Sequence, residues 1–309
     1  MILCVTPNSA IDRTLVVPGF QPFEVNRAAS SLDAAGGKGV NVARAVRVLG
    51  GQSACAGFLG GDSGRRVQEL AEREGLAGAW TWIEGDTRIC TIIVEPASGR
   101  ATVVNERGPS VTGDDWARLE ADVLVAAQMA SGVGFSGSLP PGSPVDAYAR
   151  LLTVLQQSNI PVWVDTSGAA LQAALTVPNL AIKINHEEIG ALLQTTITDA
   201  ASAVRAAQQL RGRGASTVVV TMGASGAVVV HDHGRWWAQP PSVQSVSNVG
   251  SGDSFLAGLV VALDQGATMA DALGWAVAAG TANALSVGGG QFDQADFERI
   301  LAATRVVAL

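Results

Sequence analysis

The chain opens on a short, unbroken apolar run, Ile2–Val5, which reads as a buried strand because it is cut off at once by Thr6-Pro7-Asn8. Asp12 follows, expected in a loop at the carboxyl end of that strand, where open α/β sheets collect their ligands. Residues 14–32 hold short β-like pieces such as Leu15-Val16-Val17 with no helical period, an appendage rather than core. Gly36-Gly37-Lys38-Gly39-Val40-Asn41 then enters a helix over 42–49 that stops at Gly50-Gly51. A strand is predicted over 53–59 and a helix over 62–75. Residues 88–94 and 101–105 alternate as a hairpin around Ala97-Ser98-Gly99, the natural partner of the 14–32 pieces.

From Thr112 the pattern becomes regular: helix to about 127, strand to 135, helix over 144–157, strand 162–164, helix near 169–175, strand 181–184. Asn185-His186-Glu187-Glu188 comes straight after that strand, followed by a helix over 199–210 and a strand over 217–220 that runs into Thr221-Met222-Gly223-Ala224-Ser225-Gly226. Residues 227–230 and 235–237 form a hairpin about His231-Asp232-His233-Gly234, and two apolar helices, 269–286 and 296–303, close the chain. Alternating strands and helices predict an α/β fold with a doubly wound parallel sheet. With no Pro/Ser linker and no repeat, the expectation is one domain over 1–309, with a core of 1–11, 36–85 and 109–309 and a small β lid from insertions 12–35 and 86–108.

The stretch around which this order is arranged is Ser247-Asn248-Val249-Gly250-Ser251-Gly252-Asp253-Ser254-Phe255. Phe255, Leu256, Leu259, Val260 and Leu263 recur at helical spacing behind it, so the motif opens a helix. Gly250 and Gly252 leave no side chain in the way, and the amides from Gly250 to Asp253 are expected to converge on an anion. Asp253 has a plain reading, a helix-start carboxylate worth about 0.5 to 1 kcal/mol. The sharper reading joins the two features: the amides neutralise a transferring phosphoryl group while Asp253 takes a proton from the attacking hydroxyl.

Composition narrows the classes. The chain has 309 residues, 48% of them hydrophobic, enough for a large core, and a net charge of -7 that argues against a nucleic-acid surface. Cys4, Cys55 and Cys90 are scattered without C-x-x-C spacing, which points to free thiols in a reducing cytoplasm. No apolar stretch reaches the length of a membrane span, so a cytoplasmic protein without nucleic-acid or membrane partners is expected. Gly36 to Lys38 is not a Walker A loop, because Leu32 stands at the upstream glycine and Gly39 follows the lysine. Gly132-Val133-Gly134-Phe135-Ser136-Gly137 spells a dinucleotide fingerprint, but Pro140-Pro141 stands where its helix should begin. The two histidines of the 231–234 turn have no third ligand nearby and read as a solvated turn.

With the helix-opening motif, the Gly-Gly-Lys-Gly-x-Asn turn and Asn185-x-x-Glu188 together, the sequence resembles the PfkB (ribokinase-like) carbohydrate kinases over essentially its whole length. It looks most like their hexose-phosphate branch, 1-phosphofructokinases and tagatose-6-phosphate kinases, through Glu24-Val25-Asn26, Thr87-Arg88, Asn105-Glu106-x-Gly108-Pro109, Ser136-Gly137-Ser138-Leu139-Pro140-Pro141-Gly142 and Asp165-Thr166-Ser167-Gly168. The resemblance implies a ribokinase-like fold and transfer of the γ-phosphoryl of ATP, with Mg²⁺, to a ketohexose phosphate, fructose 1-phosphate first. Asp253 would be the base, with Gly250, Ser251 and Gly252 as the anion hole. Asp12, Gly37, Lys38 and Asn41 would hold the sugar, and Arg88, Ser136 and Ser138 would approach its phosphate. Lys183 and Asn185 would face the ATP phosphates, Glu188 the metal, and Thr221, Gly223, Gly226 and Asn283 would border the nucleotide. Bland alternatives stand beside these: a surface lysine for Lys183, a packed helix residue for Asn41, a helix-interior contact for Asn283.

Three departures from the family pattern are Ser251 for Ala, Ser9 for Pro and Cys90 for Asn, and the last puts the exact sugar in question. Rival substrates are tagatose 6-phosphate, fructose 6-phosphate, an unphosphorylated sugar or a nucleoside; a rival class is a non-catalytic binding module. Lid strands leaving the core expose an apolar face, for which a homodimer through the lids is the expected cover.

Overall fold

The computed structural model describes residues 1–98, 100–158 and 160–309; Gly99 of the expected turn lies outside the described residues. Among them a ten-stranded sheet forms the centre. Six parallel strands carry its middle: β1 (Ile2–Val5), β4 (Ser53–Gly60), β8 (Gly132–Ser136), β9 (Val162–Asp165), β10 (Leu180–Asn185) and β11 (Ala215–Thr221). Their near-continuous apolar runs follow from burial on both faces; Val218, Val219 and Val220 of β11 are all fully buried. β12 (Ala227–His231) and β13 (Gly234–Gln239) add the expected hairpin antiparallel to β11.

Two helical layers cover this sheet, each with its own core. One holds α3 (Gly113–Ala127), α4 (Ala147–Gln156), α5 (Gly168–Ala174), α6 (His186–Leu193) and α7 (Ala200–Gly212). The other holds α1 (Lys38–Val48), α2 (Gly61–Arg73), α8 (Ser251–Asp264), α9 (Met269–Asn283) and α10 (Gln294–Ala303). This is the doubly wound arrangement expected, and it brings the N-termini of α1, α6 and α8 to the carboxyl ends of the parallel strands.

A separate four-stranded sheet is ordered β3-β2-β6-β7, from β2 (Ala10–Val16), β3 (Ser30–Gly36), β6 (Arg88–Glu95) and β7 (Arg100–Asn105). The expected pairing of the 88–105 hairpin with the earlier pieces occurs through parallel β2 and β6, which set Ala10 beside Arg88 and Asp12 beside Cys90.

Several expectations need correction. Asp12 lies within β2, not in a loop, because the chain turns at 7–9 and re-enters extended backbone by Ala10. The chain closes on a strand, β14 (Arg305–Ala308), antiparallel to β13, rather than on a helix. β5 (Ala77–Ile83), at the opposite edge, was not anticipated. Both edge strands are partly solvated and carry weak patterns, Ala-Gly-Ala in one and four residues in the other. α6 also went unread: it is short and begins at His186, immediately after β10. No helix among the described residues is long and apolar enough to cross a membrane.

Candidate active site

α8 begins at Ser251, and its N-cap Gly250 sits at φ 78, a left-handed conformation with no side-chain cap. A Cβ at Gly250 would lie 2.2 Å from the Cα of Gly289, so both conformation and space demand glycine there. The expected convergence of four amides is narrower in fact: Ser251 N donates to Asn248 O at 3.3 Å and Asp253 N to Gly250 O at 3.1 Å. The amides of Gly250 and Gly252 have no backbone acceptor among the described residues and are the ones left for an anion.

Asp253 is buried at 5% exposure, on the first turn of α8. Its Oδ2 accepts from Asn41 Nδ2 at 2.9 Å. Burial pushes its carboxyl up to about 6; Lys38, Lys183 and the Asn41 bond pull it down, and Asp165 pushes it further up. A carboxylate raised in this way can take up or release a proton near pH 6.

Facing it is a second carboxylate that sequence reasoning had left outside the site. Asp165, at the end of β9 and fully buried, accepts from Lys183 Nζ at 2.9 Å and from Lys38 Nζ at 3.5 Å. Burial opposes its charge, but the two lysines outweigh burial and hold it below the ordinary carboxylate range. Asp165 in turn holds Lys38 well above the usual lysine value against burial, with help from Asp253 and Glu188. Lys183 is therefore no surface lysine: it is 3% exposed, and a Cβ on Gly252 would lie 2.8 Å from its Nζ. Two cations thus converge on the turn that carries Asp253.

A groove of about 960 Å³ runs from this turn across the strand ends. It brings together Lys38, Lys183, Asn185, Thr221, Gly223, Gly226 and the Gly250 to Asp253 turn. Pro240, Pro241, Val243, Val277 and Ala284 add apolar lining to the same groove. His186 also lines the groove, its Nδ1 buried without a partner, a residue that sequence reasoning did not single out.

Asn185 and Glu188 form a capping box on α6: Asn185 Oδ1 accepts from Glu188 N at 2.8 Å and Glu188 Oε2 from Asn185 N at 3.1 Å. The second oxygen of Glu188 takes no hydrogen bond among the described residues. Asn283 is not at the groove. It is fully buried in α9, where its Oδ1 accepts from Ser254 Oγ (2.9 Å) and Gly290 N (2.8 Å) and its Nδ2 donates to Val249 O (2.8 Å). All of its polar atoms are engaged within the protein, behind the 249–254 turn, as the helix-interior alternative expects.

Of the residues expected around a sugar, Lys38 lines this groove and Asn41 meets Asp253, whereas Asp12, Arg88, Ser136 and Ser138 lie outside the groove lining. Asp12 is half-buried in β2; burial raises its carboxyl, against Arg44, Arg88 and the Gly37 amide, which donates to it. Arg88 donates from Nε and Nη2 to Asn8 O (3.2 and 2.9 Å) and from Nη1 to Glu106 O (3.1 Å), with no ion pair among the described residues. It lines a separate cleft of about 450 Å³ with Arg107 and Gly108. Asn8 joins this corner to Ser138: its Nδ2 donates to Ser138 Oγ at 3.3 Å and to Arg107 O at 3.1 Å. Ser136 is fully buried at the end of β8 with its hydroxyl unpartnered, deeper than expected of a group that meets a ligand directly. Asn8, Asp165 and Arg44 were missed, although an arginine on an otherwise apolar helix face, three residues after Asn41, was a readable signal.

The family described as pfkB family carbohydrate kinase matches residues 2–295. The chain is similar to 1-phosphofructokinase of Rhodobacter capsulatus, 37% identical over 87% of this chain and 86% of that one. It is also similar to 1-phosphofructokinase of Bacillus subtilis, 31% identical over 93% of both. A structure of phosphofructokinase-2 from Escherichia coli, described as its tetrameric inhibited form, superposes with a TM-score of 0.89 at 31% identity over 98% of both chains. On the match over nearly its whole length and on these relatives, the chain belongs to the pfkB family of carbohydrate kinases, enzymes that transfer a phosphoryl group to a sugar hydroxyl.

Proposed function

We propose that this chain passes the γ-phosphoryl of ATP to a primary hydroxyl of a ketohexose phosphate, fructose 1-phosphate, giving the bisphosphate and ADP. The observation that carries the reading is the meeting, at one helix N-terminus, of a buried carboxylate raised to about 6 and two lysines gathered by Asp165. Asp253 would accept the hydroxyl proton through Oδ1, its Oδ2 being engaged by Asn41. Lys38, Lys183 and the Gly250 and Gly252 amides would neutralise charge on the moving phosphoryl group, the larger contribution for a loose, anionic transition state.

The nucleotide would lie in the 960 Å³ groove, phosphates toward the lysines and base against the apolar lining. Mg²⁺ would be held by ATP phosphates and by the second oxygen of Glu188, a fit supported by the first being committed to the cap. The ion would supply charge neutralisation between phosphates. Asp12, Gly37 and Asn41 would receive the sugar hydroxyls, and the four-stranded sheet would serve as a lid that excludes water.

Substrate class rests on Arg88 and Ser138, linked through Asn8, as the reader of the existing phosphate. The names of the R. capsulatus and B. subtilis relatives support fructose 1-phosphate. Because Arg88 is held by carbonyls rather than by a carboxylate, its charge is available to a ligand. Arg88→Ala should lower kcat/KM for the phosphorylated sugar by about 10- to 200-fold, from roughly 1.5 to 3 kcal/mol per charge-assisted bond. Turnover of the matching free sugar, poor from the start, should hardly change. Equal loss on both substrates would mean that Arg88 supports the sheet and reads no phosphate.

A further inference from the structure

We propose that Arg44 is a positioning residue for this site: it fixes the side chain of Asn41 so that the Asn41 amide donates to the carboxylate of Asp253. The inference rests on the reading of Asp253 as the base and extends it one residue inward.

Arg44 is 7% exposed, in the middle of α1, and all five of its N–H donors are used. Nε and Nη2 meet Glu74 at 2.5 and 3.2 Å, Nη2 also meets Ala35 O at 2.5 Å, and Nη1 meets Gly289 O at 2.6 Å. Those contacts tie β3, the end of α2 and the 288–290 loop together, and would by themselves explain a structural arginine. The remaining donor does something else: Nη1 reaches Asn41 Oδ1 at 2.9 Å.

An asparagine amide can be turned either way, and its two ends differ only in what they can bond. A guanidinium has donors and no acceptor, so the end of Asn41 beside Arg44 must be the oxygen. The amino group then points at Asp253, where Nδ2 lies 2.9 Å from Oδ2. That bond favours the charged carboxylate and leaves Oδ1 as the proton-accepting oxygen. With Arg44 gone, Asn41 can turn its oxygen toward Asp253, which favours the protonated acid and idles the base. The other charged groups facing Asp253, namely Lys38, Asp165 and Lys183, stay in place, so the change is traceable to the one amide.

The test follows the Asp253 carboxyl by ¹³C NMR against pH, with kcat/KM against pH alongside, in wild type, Arg44→Met, Asn41→Ala and the double variant. Arg44→Met is expected to move the Asp253 midpoint up by about one pH unit and to lower kcat/KM at pH 6 by about 5-fold. On the Asn41→Ala background, removal of Arg44 should add little, because the route is already cut. Glu74→Gln, at the far side of the guanidinium, should lower Tm and leave the Asp253 midpoint in place. If Arg44→Met fails to fold, Arg44→Lys serves, since its single ammonium stays with Glu74 and leaves Asn41 unheld, giving the same upward move. An unmoved Asp253 midpoint in whichever variant folds overturns the proposal, as does an equal effect of Arg44→Met on both backgrounds. A moved midpoint in a protein that phosphorylates no sugar would sustain the role of Arg44 while removing the kinase reading.

Discussion

Asp253 holds its site at a cost to the fold. Its carboxyl rises from an unfolded value near 3.8 to about 6, so the folded state binds the proton more tightly than the unfolded chain does. The resulting stability is full below pH 3.8 and is lost as pH rises through 6. Above that, a buried charge is carried without full compensation. Asp253→Asn removes that charge, keeps the shape and still accepts from Asn41. It should therefore raise stability at pH 8 by about 1 to 3 kcal/mol, at roughly 1.4 kcal/mol per pH unit, with no gain at pH 4. The same variant should lower kcat by about 10²- to 10⁴-fold with sugar KM little changed. Chemical denaturation at the two pH values and steady-state kinetics check both halves; a protein destabilised at pH 8 would mean that Asp253 is a structural carboxylate. Most of these residues were legible from motif and resemblance. Asp165 was not placed in the site, because a lone aspartate at a strand end shows its value only when the fold brings two lysines to it.

At the level of elements, the site is made by helix starts, and these were read better than edge strands. The Gly-Gly-Lys-Gly and Gly-Ser-Gly-Asp turns announce helices α1 and α8 because glycine at those positions answers a backbone demand. β5 and β14 gave no comparable signal: an edge strand is half-solvated, and its pairing is set by the neighbour rather than by its own pattern. Asn185-x-x-Glu188 is a capping box in the structure, a local role that its spacing alone announces. The start of α8 supplies a sharper test. A methyl group at position 252 would sit 2.8 Å from Lys183 Nζ, and that ammonium is pinned by Asp165 in a fully buried pair. Gly252→Ala should lower kcat by about 10- to 100-fold while Tm changes by only a few degrees. Unchanged kcat would show that neither Lys183 nor the Gly252 amide meets the transferring group.

The whole molecule divides its labour between two sheets. The large sheet, buried on both faces, fixes the strand ends that carry Asp165 and Lys183 and the helix starts that carry Lys38 and Asp253. The small sheet leaves Leu32 and Val103 exposed on one face and Val104 on the other, with Phe23 and Val25 protruding from the loop before β3. Exposed apolar residues on an open sheet call for a cover, and a second copy packed through the same sheet is the expected one. Sedimentation velocity should find a homodimer, and Val104→Asp should dissociate it; a monomer across micromolar concentrations would refute the lid interface, and a tetramer would match the E. coli relative described as tetrameric. A doubly wound parallel sheet could be anticipated from alternation alone, whereas the order of its strands and the residues left exposed could not, since both depend on how the elements pack together. The most direct test of the central claim is ATP turnover by the wild-type protein with Mg²⁺ over a panel of fructose 1-phosphate, fructose 6-phosphate, tagatose 6-phosphate, fructose, ribose and adenosine. The account predicts the highest kcat/KM with fructose 1-phosphate and poor use of the unphosphorylated acceptors; preference for free fructose, ribose or adenosine, or no acceptor-dependent turnover at all, would contradict it.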